Sequence, residues 1–221
     1  MALLLLQPLG TMVAMISQRT TDAPVTLDEH VPTADQIVVL RGMSWDAFEV
    51  LLAARGDRSA PRMAFLDGAV EIMSPSRDHE GISRVIGILV GEYCLAKGIP
   101  FSAYGGWTQK KRRKKAGLEP DECFVFDANP KRKKQPDLAI EVVWTSGGIE
   151  KLEIYRRLQI TEVWFWEKDE IAVYVLEGDA YITQEKSLRL PDLDLASICR
   201  LAAIEPMSAA ILEFRERLKT G

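Results

Sequence analysis

The chain has 221 residues, 47% apolar and 27% charged, which is enough for one full core and does not require a second. Its formal net charge of −4 excludes a general attraction of the whole surface to a polyanion, so nucleic acid would have to be held by local patches. Three cysteines, Cys94, Cys123 and Cys199, lie far apart without paired spacing and read as free thiols of a reducing, cytoplasmic compartment.

Near the beginning, Leu3 to Leu6 form an apolar run, but Gln7, Pro8 and Gly10 interrupt it and no basic residue precedes it. That argues against a secretory signal and against a membrane span, which needs ~20 apolar residues. Met12 or Met15 is a candidate start, and Ser17 to Asp35 is polar with two prolines. A flexible arm over residues 1–40 and a single domain over residues 41–221 are therefore expected. The ordered body begins at Ser44, an N-cap before Trp45, Phe48, Leu51 and Leu52, whose spacing predicts a helix ending near Gly56. Arg62–Leu66 and Ala69–Met73 flank Asp67-Gly68, a hairpin signal. Glu71 on its second strand either faces solvent, the commoner fate of a lone strand glutamate, or leans toward a site. Asp78 reads as the cap of a long helix reaching about Ala96, with Ile82, Val85, Ile86, Leu89, Val90 and Tyr93 on its apolar face. His79 in the first turn reads as a surface or cap residue, and with His30 as the only other histidine a zinc site is not expected.

After two extended runs, Pro100–Tyr104 and Trp107–Lys110, come two Pro-Asp dipeptides. Pro120-Asp121 opens Cys123–Phe126, and Pro136-Asp137 opens Leu138–Val143. Both runs read as short buried strands, since proline is tolerated at a strand head. Glu141 sits inside the second. A buried carboxylate must meet a cation, a metal or a proton, because leaving it unpaired costs several kcal/mol. Side chains alternate along a strand, which puts Asp137 and Glu141 on one face. With the Asp121 strand alongside, two or three carboxylates converge, an oxygen-only set suited to Mg²⁺ or Mn²⁺. The next helix, Ile149–Leu158, places Lys151 and Tyr155 four apart on one face, within reach of the strand end. Glu162–Trp166, Ile171–Leu176 and Ala180–Thr183 form a β meander with a turn at Lys168-Asp169, and Ser208–Lys219 is a terminal amphipathic helix. The economical solution is a mixed sheet flanked by helices.

An acid on each of two strands with a lysine nearby resembles the PD-(D/E)XK nuclease superfamily. Pro136–Val143 followed by Lys151, Tyr155 and Glu162–Trp166, with Phe65–Gly68, Met73-Ser74-Pro75 and His79 upstream, resembles more closely the Uma family of restriction-endonuclease-like proteins, over residues 43–205. The resemblance implies a restriction endonuclease-like α/β fold and a Mg²⁺-dependent endodeoxyribonuclease. Asp121 and Glu141 would hold the metal with the Val142 carbonyl, and Lys151 would orient or deprotonate the attacking water. In the superfamily the lysine usually follows the second acid by two residues; Val143 stands there, so Lys151 takes the place of a migrated lysine. Asp137, as a further ligand or a strand-start cap, together with Glu71 and Tyr155, are accessory candidates. DNA is the expected partner, and a homodimer suits enzymes that cut both strands. Two basic runs, Lys110, Lys111, Arg112, Arg113, Lys114 and Lys115 before Asp121, and Lys131, Arg132, Lys133 and Lys134 between the strands, are candidate phosphate contacts or solvated loops. The alternatives are a structural Glu141–Lys151 ion pair, and a catalytically inactive nucleic-acid- or protein-binding module on the same scaffold.

Overall fold

The computed structural model describes residues 33–145 and 148–220, and begins with a strand, β1 (Gln36–Arg41). Helix α1 (Trp45–Arg55) follows; the Ser44 side chain accepts a hydrogen bond from Ala47 N, and Gly56, with φ +65°, ends it. Strands β2 (Arg62–Leu66) and β3 (Ala69–Ser74) are joined through Asp67 and Gly68, both at positive φ, as the two-residue hairpin predicts. The ordered body thus begins before Ser44: β1 pairs antiparallel with β3 from Gln36 opposite Ser74 to Arg41 opposite Ala69. The arm boundary at residue 40 is corrected accordingly, and the expectations for residues 1–32 fall outside the described residues.

Helix α2 (Arg77–Lys97) is capped by Ser76, whose side chain accepts from His79 N, so the cap lies two residues before the predicted Asp78. Four strands follow, β4 (Ser102–Tyr104), β5 (Gln109–Lys111), β6 (Ala116–Leu118) and β7 (Glu122–Val125). Then come β8 (Leu138–Val142), α3 (Lys151–Leu158), β9 (Glu162–Glu167), β10 (Glu170–Glu177) and β11 (Ala180–Gln184), and last α4 (Leu195–Ala202) and α5 (Met207–Thr220).

These strands form two sheets where one was expected. An antiparallel sheet has the order β1-β3-β2-β6-β5; a mixed sheet has the order β11-β10-β9-β8-β7-β4, in which β8 and β9 run parallel. Helix α3 is the crossover that a parallel pair requires. On β8, Leu138, Ile140 and Val142 pack into a core shared with α2, α4 and α5, while Ala139 packs with Ala64, Ala116, Ile154 and Leu158 on the α3 side. The mixed sheet is therefore covered on both faces, and Glu141, next after Ala139 on its face, is turned to α3. Helix α1 covers β2 and β3 through Phe48, Leu52, Phe65 and Val70. No described helix is long and apolar enough to cross a membrane.

Candidate active site

Glu141 has no exposed surface. Its Oε2 accepts a hydrogen bond from Lys151 Nζ at 2.7 Å, and its Oε1 accepts one from the Tyr155 hydroxyl. The two donors are one turn apart on α3, so a single helix face supplies both partners of one carboxylate. Burial, together with the charge of Asp121, pushes Glu141 up from the ordinary carboxylate range against the pull of Lys151. Burial also works against the charge of Lys151, but the carboxylates of Glu141, Asp121 and Glu71 raise its pKa above the usual lysine value. Those carboxylates favour Lys151 as a cation beside the two acids.

Asp121 stands at the head of β7. Glu122 faces Ile140 across the antiparallel pair, and the same register brings Asp121 level with Glu141. Its Oδ2 accepts from Val142 N at 2.7 Å and lies 3.1 Å from His79 Nε2. Arg62 Nη1 is 2.8 Å from Oδ1 but out of hydrogen-bond alignment, so that buried oxygen has a charge contact and no hydrogen bond. Burial alone would raise Asp121; the hydrogen bond from His79 and the charges of Arg62 and Lys151 hold it well below the ordinary carboxylate range. Glu71 leans inward, the less common of its two fates. It is buried, and its Oε2 accepts from Ile149 N at 2.8 Å, just before α3.

Three members of this network carry no pattern in the sequence. His79, with no exposed surface, lies between Asp121 and Asp35, its Nδ1 3.0 Å from Asp35 Oδ2. Burial disfavours a charged imidazole, yet the two aspartates push His79 up to about 9. Nε2 also lies 3.3 Å from Arg62 Nη1, so imidazole and guanidinium gather around one carboxylate. Arg62 Nη2 pairs in turn with Glu80 at 2.9 Å. The reading of His79 as a surface or cap residue is corrected: its backbone joins the cap, but its ring is buried in an ion network. The only sequence signal was its place after Met73-Ser74-Pro75.

The donors are all oxygen, the kind that a hard divalent ion takes, and Asp121 Oδ1 makes a charge contact with Arg62 but no hydrogen bond. No group of three or more His, Cys, Asp or Glu side chains converges among the described residues. Mg²⁺ needs no such cage, since it keeps several waters and binds through one or two carboxylates plus substrate phosphates.

Other expected site residues lie elsewhere. Asp137 is at the opposite end of β8, four residues or ~13 Å from Glu141 at ~3.3 Å per residue. There it accepts from Phe126 N at 3.0 Å, from Lys133 Nζ at 2.8 Å and from Arg189 Nη2 at 3.1 Å, a strand-start anchor. Lys131, Arg132, Lys133 and Lys134 occupy the loop at that same far end, because β7 and β8 pair from Glu122–Ile140 down to Phe124–Leu138. The other run forms the β5–β6 turn: Lys110 pairs with Glu49, Arg112 with Asp46, and Lys111 Nζ donates to Leu158 O at the end of α3 remote from Lys151. Neither run frames the acids. Val143 donates its N–H to Trp166 O at 2.8 Å, and the cation at Glu141 is Lys151.

The family model Uma2, described as "Putative restriction endonuclease", matches residues 45–203. The chain belongs to the Uma2 family. That span contains Arg62, Glu71, His79, Asp121, Glu141, Lys151 and Tyr155, whereas Asp35 precedes the Uma2 match. Among solved structures, the chain is similar to a "putative nuclease belonging to DUF820" from Anabaena variabilis ATCC 29413. The identity is 16% over 78% of this chain and 97% of that one, with a TM-score of 0.47. No curated protein matches this Uma2 chain.

Proposed function

We propose that the chain is a Mg²⁺- or Mn²⁺-dependent endonuclease that hydrolyses phosphodiester bonds in DNA, with Asp121, Glu141 and Lys151 as its catalytic residues. The observation that carries this reading is Glu141: a fully buried carboxylate inside an apolar strand, held by Lys151 and Tyr155, with Asp121 beside it. A structural ion pair needs Lys151 alone. Asp121, level with Glu141 on the neighbouring strand, is a second buried acid that a Glu141–Lys151 pair does not call for.

Asp121 and Glu141 would hold the ion, with the Val142 carbonyl as a further ligand in line with the family resemblance. When bound, such a metal polarises a phosphoryl oxygen and lowers the pKa of its water toward neutrality. The chain's own groups do the rest. Lys151, whose charge the surrounding carboxylates favour, would orient or help deprotonate the attacking water and stabilise the negative charge that grows on the phosphoryl oxygens in the transition state. Tyr155 fixes the Glu141 carboxylate in one rotamer, while His79 and Arg62 keep Asp121 ionised and aimed. Glu71 ties down the backbone before α3 and thereby sets where Lys151 stands. A cytoplasmic setting and a two-fold dimer belong to the same reading, by analogy with enzymes that cut both strands.

A second reading, a non-cleaving nucleic-acid- or protein-binding module, is favoured by one observation: both Glu141 oxygens are already engaged by hydrogen-bond donors. Calorimetric titration of Mg²⁺ and Mn²⁺ into wild type and Glu141→Gln, with plasmid nicking on the same samples, separates the two. The nuclease reading expects metal binding and nicking in wild type and neither in the variant. Wild type that binds no metal and cuts nothing leaves the module.

A further inference from the structure

Two tryptophans stand at the same end of the mixed sheet as the acids and have no part in the proposed chemistry. Val142, next to Glu141, faces Trp166 across the parallel pair, and Trp166 packs on the α2 side of the sheet, opposite to the α3 side where Glu141 points. Trp144, two residues beyond the end of β8, stacks on Trp166 with ring centroids 5.9 Å apart and planes 11° from parallel. Its indole N–H donates to Thr33 O at 2.7 Å, so the ring is fixed at its nitrogen and on one face, yet it remains 37% exposed. Holding a large indole rigid and solvated yields nothing for the core.

Trp166 presents the opposite anomaly. It is 3% exposed, and its indole N–H has no hydrogen-bond partner. Both tryptophans line a hollow of about 370 Å³ with Val143, Glu167, Lys168 and Asp169, the size of a small-ligand site. Trp144 also walls a larger cleft that runs along the start of α2 past Arg77. Arg77 and Lys168 therefore flank the exposed indole from its two sides. Arg77 meets Asp78 at 3.4 Å and Lys168 meets Glu167 at 3.0 Å, both in solvent-exposed pairs that yield readily to a phosphate.

An aromatic platform between two solvated cations is the arrangement that holds a single nucleic-acid strand, bases on the ring and phosphates on the charges. The carboxylates of Glu167 and Asp169 at the rim suit an exocyclic amine. Bases inside a duplex are already stacked and reach such a platform only by leaving the helix. We propose that Trp144, backed by Trp166, forms a stacking platform for an unpaired base, so that the strand cut at Asp121 and Glu141 is single-stranded or carries an unpaired nucleotide. This rests on the nuclease reading for the cutting step and on the tryptophans for the substrate class.

The test is fluorescence anisotropy with labelled oligothymidine and with a DNA duplex of the same length, in chelator. The proteins are wild type, Trp144→Leu and Trp144→Phe, each checked for an unchanged melting temperature. Leucine keeps apolar packing on Trp166 and removes the π face; phenylalanine restores that face. Trp144→Leu is expected to weaken oligothymidine binding about ten-fold, Trp144→Phe to recover most of it, and both to leave duplex binding unchanged. Equal oligothymidine affinity in wild type and Trp144→Leu, or a wild type that prefers duplex, overturns the platform and leaves the nuclease reading to the nicking assay. Should Trp144→Leu fail to fold, the comparison moves to Lys168→Ala, for which an unchanged oligothymidine affinity overturns the proposal. A stacking loss with no cleavage of oligothymidine or plasmid by wild type in Mg²⁺ overturns the nuclease reading alone.

Discussion

Removing Lys151 while keeping Glu141 leaves a carboxylate with no exposed surface and a hydroxyl as its single described hydrogen-bond donor. Breaking one side of a buried pair costs about 3–5 kcal/mol, most of it the desolvation of the abandoned charge. Lys151→Met is therefore expected to lower the unfolding free energy in urea by an amount of that order, with a lower midpoint, and Glu141→Gln in the same chain to restore much of it. Equal midpoints for wild type and Lys151→Met would show that the pair does not hold the fold. His79 gives a pH dependence of definite sign. Its folded pKa, about 9, lies above its ordinary value of 6.5, so its contribution is complete below about pH 6.5 and is lost as pH rises through 9. The shift corresponds to about 3 kcal/mol, read as the fall in unfolding free energy between pH 6 and pH 10 that His79→Gln no longer shows. At this scale the sequence reveals a residue when its local surroundings contradict it. Glu141 is legible because a carboxylate interrupts an apolar run, and Lys151 with Tyr155 because four-residue spacing aligns them. His79 and Arg62 have partners far away in the chain, and nothing beside them in sequence announces those partners.

The segment between β8 and α3 decides where Lys151 stands, and a glycine limits its path. Gly148 has φ +96°, and a Cβ there would lie 2.0 Å from Glu71 Oε2. Gly148→Ala is expected to cost about 1–3 kcal/mol in backbone strain and to push Glu71 off Ile149 N. Nicking should fall with it. Since the collision is with one side chain, adding Gly148→Ala to Glu71→Ala should cost less than Gly148→Ala costs wild type, a non-additivity measurable by denaturant unfolding of the four proteins. Additive effects would mean that the strain is in the backbone alone. Elements with strong local signals were legible: α1 by its serine cap and Gly56, β2–β3 by Asp67-Gly68, and the meander by alternation and Lys168-Asp169. Those that exist through pairing were not. β6 is Ala-Gly-Leu, with no β-branched residue, and becomes a strand because β2 and β5 lie on either side of it. α4 is short, only eight residues, and follows a turn-rich stretch that blurs its periodicity.

At the scale of the molecule, where the folded body begins is settled by contacts that composition hides. Asp35 sits at the end of a polar stretch that reads as an arm, yet its carboxylate accepts from Ser76 N at 2.8 Å and meets His79, and its own N–H donates to Thr145 Oγ1 at 2.9 Å. It joins β1, the cap of α2 and the segment after β8, three places far apart in sequence. A chain starting at Ser44, the boundary that helix signals suggest, would lose all three contacts and uncover the edge of β3 along Ala69–Ser74. That edge would then be a template for association. Compared with a chain starting at Thr33, it should melt at least about 6 °C lower, since a protein of this size loses about 2–4 °C per kcal/mol and the His79–Asp35 contact alone is worth a few. Its nicking activity should drop as well, because His79 would hold Asp121 with one partner missing. Calorimetric melting of the two chains, with light scattering to detect association, decides the boundary. Equal melting temperatures would return the start of the body to Ser44 and reduce Asp35 to a dispensable cap, whereas the expected gap makes the first strand part of the machinery that aims Asp121.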